Sequence, residues 1–218
     1  MSESIKKNFS YNLILTFCNY LFPLLTYPYL SRVLGVEKIG VCNFVDSIIH
    51  YFILFSMLGV SSYGIREIAK CREHINQRNY VFSNLILINI IGTVVALLTL
   101  IGCTLWVPTF QPYREFLGIG AMKLVFHMFL IDWFFVGLQK FKYITIRSVI
   151  VRTIYVLLIF ILVNSKEDAN TYYALTVLAT IVNAIINWNY SRNFRKLSFK
   201  HINLRLFILP VLTFGYYR

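Results

Sequence analysis

Residues 82–107 read FSNLILINIIGTVVALLTLIGCTLWV and contain no Asp, Glu, Lys or Arg. A helix rises about 1.5 Å per residue and the hydrocarbon core of a bilayer is about 30 Å thick, so about 20 apolar residues suffice to cross it. This stretch has the length and brings no charge into hydrocarbon. It predicts a transmembrane helix. Working outward, the same criterion selects residues 11–30, 42–63, 116–138, 147–163 and 171–190.

The whole chain agrees. Of its 218 residues 58% are hydrophobic and 14% charged, with a mean hydropathy of +0.65. Soluble domains carry about 25% charged residues, and a chain with so few could not cover its surface with polar groups. The reading is an all-α integral membrane protein with six transmembrane helices. Lys6 and Lys7 precede the first apolar run, but no small-residue cleavage site follows it, so the run is expected to stay as a span.

The formal charge of +12 has a direction. With the N-terminus on the cytoplasmic side, the inner segments hold fourteen cations: Lys6, Lys7; Arg66, Lys70, Arg72, Arg78; Lys140, Lys142, Arg147; Arg192, Arg195, Lys196, Lys200, Arg205. The outer loops hold four, Arg32, Lys38, Arg114 and Lys166. That asymmetry is the positive-inside pattern. It is a commoner source of such charge than nucleic-acid binding in a chain this apolar, and no nucleic-acid partner is expected. The inner stretches 66–78 and 192–205 are basic enough to rest on anionic headgroups, although topology alone accounts for them. Beyond Arg205, residues 206–217 form an apolar run too short to cross, read as the beginning of a seventh span. The chain thus divides into a six-helix unit, residues 1–205, and an incomplete seventh span, residues 206–218.

Enzyme signatures are missing. Cys18, Cys42, Cys71 and Cys103 show no CxxC spacing, the four histidines form no HExxH, and no phosphate-binding loop or nucleophile elbow occurs. No metal or cofactor is expected.

Two spans carry polar stripes. In the first, Asn12, Thr16, Asn19, Pro23 and Thr26 fall within about 80° of arc, and in the sixth Thr176, Thr180, Asn183, Asn187 and Ser191 repeat the pattern. Such stripes serve as hydrogen-bonding glue between helices, or as the wall of a watered cavity, where freed carbonyls near a proline are satisfied. Ionisable residues inside spans default to function because they are costly there. Asp46 and His50 lie one turn apart, as do Lys123 and His127, and either pair could relay protons or hold counter-charge. The plainer alternatives are a structural pair, or a Lys123 that snorkels to the interface. Asp132 lies on the opposite face of its helix from Lys123. At matched depth in the following antiparallel span is Arg152, and an Asp132–Arg152 ion pair is expected.

Two motifs carry a resemblance. One runs Tyr27-Pro-Tyr-Leu-Ser-Arg-Val-Leu-Gly35, through Gly40 and Asn43 to Leu58-Gly59 and Tyr63-Gly-Ile-Arg-Glu-Ile-Ala-Lys70. The other is Asp132-Trp-Phe-Phe-Val-Gly-Leu-Gln-Lys-Phe-Lys-Tyr-Ile-Thr-Ile-Arg147, with Arg152 following. In this order they resemble bacterial polysaccharide (O-antigen) flippases of the multidrug/oligosaccharidyl-lipid/polysaccharide exporter superfamily. The resemblance implies two six-helix lobes around a central cavity, usually with two further helices. It also implies movement of an undecaprenyl-pyrophosphate-linked oligosaccharide across the bacterial inner membrane by alternating access. The implied partners are that substrate, membrane lipids and other polysaccharide assembly proteins. By position, Arg32, Lys123 and Arg152 become candidate substrate-facing cations, with His127, Asn12, Thr16 and Asn19 as cavity candidates. Asp46, His50 and Asp132 become candidates for ion coupling or helix pairing.

The chain departs from the family pattern at Val136 and Gln139, where Gln and Glu are usual, which argues against a polar role for that hairpin end. Residues for a second lobe do not follow, so the expectation is a truncated form without transport of its own. Alternatives are a drug or lipid exporter of the same fold, or a membrane polymerase or glycosyltransferase. Such enzymes usually need a large outer loop, and 108–115 and 164–170 are short.

Overall fold

The computed structural model describes residues 5–57 and 59–196 and contains eight α-helices, with no strand among the described residues. They are α1 (Ile5–Val33), α2 (Gly35–Met57), α3 (Val60–Lys70), α4 (Ile75–Trp106), α5 (Arg114–His127), α6 (Asp132–Gly137), α7 (Phe141–Leu162) and α8 (Ala169–Ser191). Among the described residues six segments are long and apolar enough to cross a membrane: α1, α2, α4, the α5–α6 pair, α7 and α8. The chain is an all-α, multi-pass membrane protein. The apolar run at 206–217, Lys200, Arg205 and Leu58 lie outside the described residues.

Tight turns join the spans. Gly35 at φ 79° lets α2 start directly after α1, a left-handed conformation that side chains with a Cβ rarely adopt. Gly59, also at φ 79°, ends the second span sooner than expected. The 60–70 stretch is then a separate amphipathic helix, α3, with Val60, Tyr63, Gly64 and Ile68 buried against α4 and α6. Before α8, the Asp168 carboxylate accepts from the Ser165 hydroxyl and backbone N–H (2.9 and 2.8 Å) and from the Asn164 backbone N–H (2.9 Å). Those bonds satisfy donors at a chain reversal.

The fourth span departs most from expectation. In place of one helix over 116–138, α5 stops at His127, residues 128–131 form a tight non-helical bend, and α6 restarts at Asp132. No Gly or Pro marks the break. Aromatic packing accounts for it: α6 sets Trp133, Phe134 and Phe135 side by side, and the first two lie against Phe82 of α4, with ring centroids 5.6 and 4.7 Å away. Gly64 of α3 lies so close to Trp133 that a Cβ there would be 2.6 Å from the indole Cε3.

Helices α1, α2, α5, α8 and α7 each touch the next and close a ring, since α7 also packs on α1, and α4 sits outside it against α2 and α5. One buried cluster, including Leu34, Val45, Ile49, Leu124, Ile159 and Tyr173, fills the end where α1 meets α2. A second, including Ile68, Phe82, Phe134, Phe135 and Ile144, fills the end that holds α3 and α6. At that end Arg78 donates to the Phe194 carbonyl (2.6 Å), and Asn79 accepts from the Lys196 backbone (2.9 Å). Arg195 lies 4.4 Å from the Phe82 ring centre and 3.9 Å from that of Trp188. Burial, helped by the charge of Arg192, pushes its pKa down to about 10. It stays charged at neutral pH, as a cation–π contact requires.

Without a hydrophobic drive between helices in lipid, close backbone approach matters more. Gly92 of α4 sits on the Ser56 carbonyl oxygen of α2, leaving no room for a Cβ. Because the obstacle is backbone, Gly92→Ala is expected to push α2 and α4 apart, destabilising by about 1–3 kcal/mol. A fall in the detergent-solubilised unfolding midpoint measures it, and an unchanged midpoint would refute the close contact.

Candidate functional site

A polar cavity of about 420 Å³ opens between α1, α7, α8 and the start of α6. Both stripes reach it: α1 contributes Asn19, Pro23 and Thr26, and α8 contributes Thr176, Thr180 and Asn183. Pro23 leaves the carbonyl of Asn19 without its helical donor, an irregularity tolerated at membrane depth where the backbone lines a cavity.

The charged groups stand at one side. Arg147 of α7 is buried, and its guanidinium faces the Asp132 carboxylate in a two-pronged contact, Nη1 to Oδ1 at 2.8 Å and Nη2 to Oδ2 at 3.3 Å. Asn187 of α8 closes the triangle. Its Nδ2 donates to Asp132 at 2.8 Å, while its Oδ1 accepts from Arg147 and, at 3.1 Å, from the Tyr143 hydroxyl. Asp132 at the first turn of α6 also suits the positive end of the helix dipoles.

Arg152 does not take part, and the expected Asp132–Arg152 pair is corrected. It donates instead to Asn19 of α1. Two causes combine: the bend at 128–131 shifts Asp132 from the depth a continuous helix would give it, and Arg152 lies about 140° round α7 from Arg147. Arg147 therefore turns to α6 and α8, and Arg152 to α1. Among the described residues no carboxylate lies within ion-pair distance of Arg152. Since Asp132 and Arg147 offset each other, the cavity carries one uncompensated positive charge.

A second cluster joins α2 and α5. Lys123 is buried, and its ammonium donates to Asp46 Oδ1 at 2.6 Å and lies 3.4 Å from His50 Nε2, which is 3.5 Å from Asp46 Oδ2. Asp46 and His50 thus act on one face, as their spacing suggests. Lys123 neither snorkels nor lines the polar cavity, because Asp46 holds it within the helix interface. His50 is exposed and borders a separate groove of about 610 Å³ with Ser47, Ser61 and Ser62. His127 stays outside the cluster, its Nδ1 buried without a hydrogen-bond partner among the described residues.

The remaining candidates lie elsewhere. Asn12 and Thr16 are exposed on α1 beyond the cavity, and Arg32 is exposed in the last turn of α1. Arg147 and Tyr143 were missed as site residues. Arg147 reads as a flanking cation of its span, and only the position of Asn187 on the sixth-span stripe hinted at a polar partner there.

The fold and its charged intramembrane cavity define a polytopic membrane protein with a buried polar site. The chain belongs to the polysaccharide biosynthesis protein family, whose sequence pattern matches residues 5–217. It is 31% identical over 165 residues to an Escherichia coli K12 protein named "Putative O-antigen transporter", covering 76% of this chain and 40% of that protein. A Shigella dysenteriae protein of the same name is 26% identical over 171 residues, covering 75% of this chain and 41% of its own length. The chain thus matches about two fifths of the length of these curated relatives. No solved structure matches it.

Proposed function

We propose that these helices form one lobe of a two-lobed carrier that moves a lipid-linked oligosaccharide across the bacterial inner membrane. Residues 1–205 make up the lobe and residues 206–218 begin the next span. The N-terminus lies on the cytoplasmic side, in keeping with the fourteen-to-four split of cations. One observation carries the reading: a polar cavity among apolar helices whose uncompensated charge, Arg152, is a cation. An anionic phosphate linkage passing through hydrocarbon loses its hydration, and fixed positive charge offsets that loss. Alternating access follows from the two-lobed arrangement, in which one lobe rocks against the other around a site near the midplane.

The protein acts as a carrier and not as an enzyme in this reading. The connections at the less basic end are short, a 3-10 turn at Pro108–Tyr113 and another at Lys166–Asp168, too small to hold a catalytic domain. Asp46, His50 and Asp132 are the groups suited to ion coupling. The substrate in this reading is an undecaprenyl-pyrophosphate-linked repeat unit, and the E. coli and Shigella relatives carry names that refer to O-antigen transport.

The test is complementation of a strain lacking its O-antigen flippase, using this chain fused to the remaining length of the E. coli relative. Surface polysaccharide is expected to return. Arg152→Ala should reduce it about tenfold or more, the loss of one charge-assisted contact, with Arg152→Lys retaining part and membrane levels unchanged. A chimera present in the membrane yet unable to rescue would sink the carrier reading, and full rescue by Arg152→Ala would remove the cavity cation from it.

A further inference from the structure

We propose that the groove between α7 and α8 at the basic end of the bundle binds an anionic diacyl phospholipid. The groove has a volume of about 490 Å³ and is distinct from the polar cavity, the two linings having Arg147 in common. Its walls change character along the helix axis. Lys140 and Lys142 stand at the mouth, the rings of Tyr143 and Tyr190 stack behind them with centroids 3.9 Å apart, and Ile146, Ile150 and Ile186 line the remainder.

Depth decides what such a groove fits. Helix α7 has 22 residues, about 33 Å, so it barely exceeds the hydrocarbon core, and its first turn lies at headgroup level. Lys140 and Lys142 are then level with lipid phosphates, and the tyrosines occupy the interfacial zone that aromatic rings favour. Lys142, Ile146 and Ile150 follow one another at single turns down α7, a file of about 12 Å that enters hydrocarbon. A phosphate between the lysines would leave an acyl chain against the isoleucines, all three of which are exposed.

The charge at the mouth is available. Lys142 makes no hydrogen bond or ion pair among the described residues, and the Lys140 ammonium lies 5.3 Å over the Phe194 ring without an acid beside it. Arg147, deeper in the groove, is already held by Asp132 and Asn187. Basic pockets between transmembrane helices on the cytoplasmic side are suited to anionic headgroups. A soluble phosphate would meet the lysines alone, whereas a diacyl lipid also covers the isoleucines. This site does not depend on which molecule the polar cavity carries.

The experiment uses the full 218-residue chain in detergent micelles, with phosphatidylglycerol, phosphatidylcholine and glycerol 1-phosphate as probes. Binding is read by native mass spectrometry and by the unfolding midpoint. Phosphatidylglycerol should stay bound and raise the midpoint; the other two should do neither. Lys140→Glu with Lys142→Glu, both exposed positions, should weaken retention about tenfold or more and lower the lipid-free midpoint by no more than the loss of the Lys140–Phe194 contact accounts for. Ile150→Trp should weaken it with both lysines intact. Equal binding of phosphatidylcholine, an equal effect of glycerol 1-phosphate, or undiminished retention in either variant overturns the proposal. So does a lipid-independent dimer that the lysine substitutions dissolve, since the groove would then belong to a second copy.

Discussion

Asp132→Ala is expected to destabilise the detergent-solubilised protein by about 3–5 kcal/mol, and Arg147→Met by distinctly less. The two residues form one ion pair, but they are not equally placed. The Arg147 side chain is 5% exposed, whereas that of Asp132 is 45% exposed and opens into the polar cavity. Removing the carboxylate strands a guanidinium in the helix interface, with Asn187 and Ser148 as its only acceptors among the described residues. Removing the guanidinium leaves a carboxylate that keeps the Asn187 amide and can take up water. Losing one partner of a buried pair is costly chiefly through the charge left behind. Asp132→Asn should fall between, since it keeps an acceptor oxygen without the charge. Unfolding midpoints of the three variants check the order. If Arg147→Met proved the most damaging, the pair would be stabilising for a reason other than the burial of Arg147.

The second large effect concerns Lys123. Asp46→Asn should destabilise by about 3 kcal/mol or more, because the Lys123 side chain is 8% exposed and, with only an amide oxygen left at position 46, would face no carboxylate among the described residues. Lys123→Met should be milder, as Asp46 keeps its contact with His50 and is 27% exposed at the side chain. The double substitution Asp46→Asn with Lys123→Met should recover much of the loss, because no charge is then stranded. Residues in direct contact couple by about 0.5–3 kcal/mol in such a cycle. An additive cycle would mean that the 2.6 Å contact adds nothing. In the complementing chimera the same double variant separates structure from coupling. A stable protein that no longer transports would assign the cluster a part in moving ions, while one that transports normally would leave it as a pin between α2 and α5.

Both predictions rest on partners that the sequence left open. Asp46 and His50 are one turn apart, so their shared face was legible, but nothing in the chain says that the α5 face bearing Lys123 meets it. Lys123 could equally have turned to His127, four residues on. The choice was made by packing: Gly120 of α5 lies so close to Ile49 and Tyr173 that a Cβ would be 2.6 and 2.8 Å from them, which draws α5 onto α2 and α8. The bend before Asp132 was hidden for a related reason. Residues 126–131, Phe-His-Met-Phe-Leu-Ile, are as apolar as their surroundings and carry no helix breaker. The aromatic block of α6 needed Phe82 as its counterpart, and that residue comes from another span.

What this sequence determined by itself is the number of spans, their sidedness of charge and the two polar stripes. Hydropathy and helical periodicity are local quantities, summed over about 20 residues without knowledge of any neighbour. Tertiary structure alone decided that the two stripes face each other across one cavity, that Asp132 pairs with Arg147, and that Arg152 is left to Asn19. A side chain's partner depends on where its helix is rotated, tilted and broken. Those variables are settled by close contacts between distant segments, at Gly92 on Ser56, Gly64 on Trp133 and Gly120 on Ile49, and a one-dimensional pattern does not carry them.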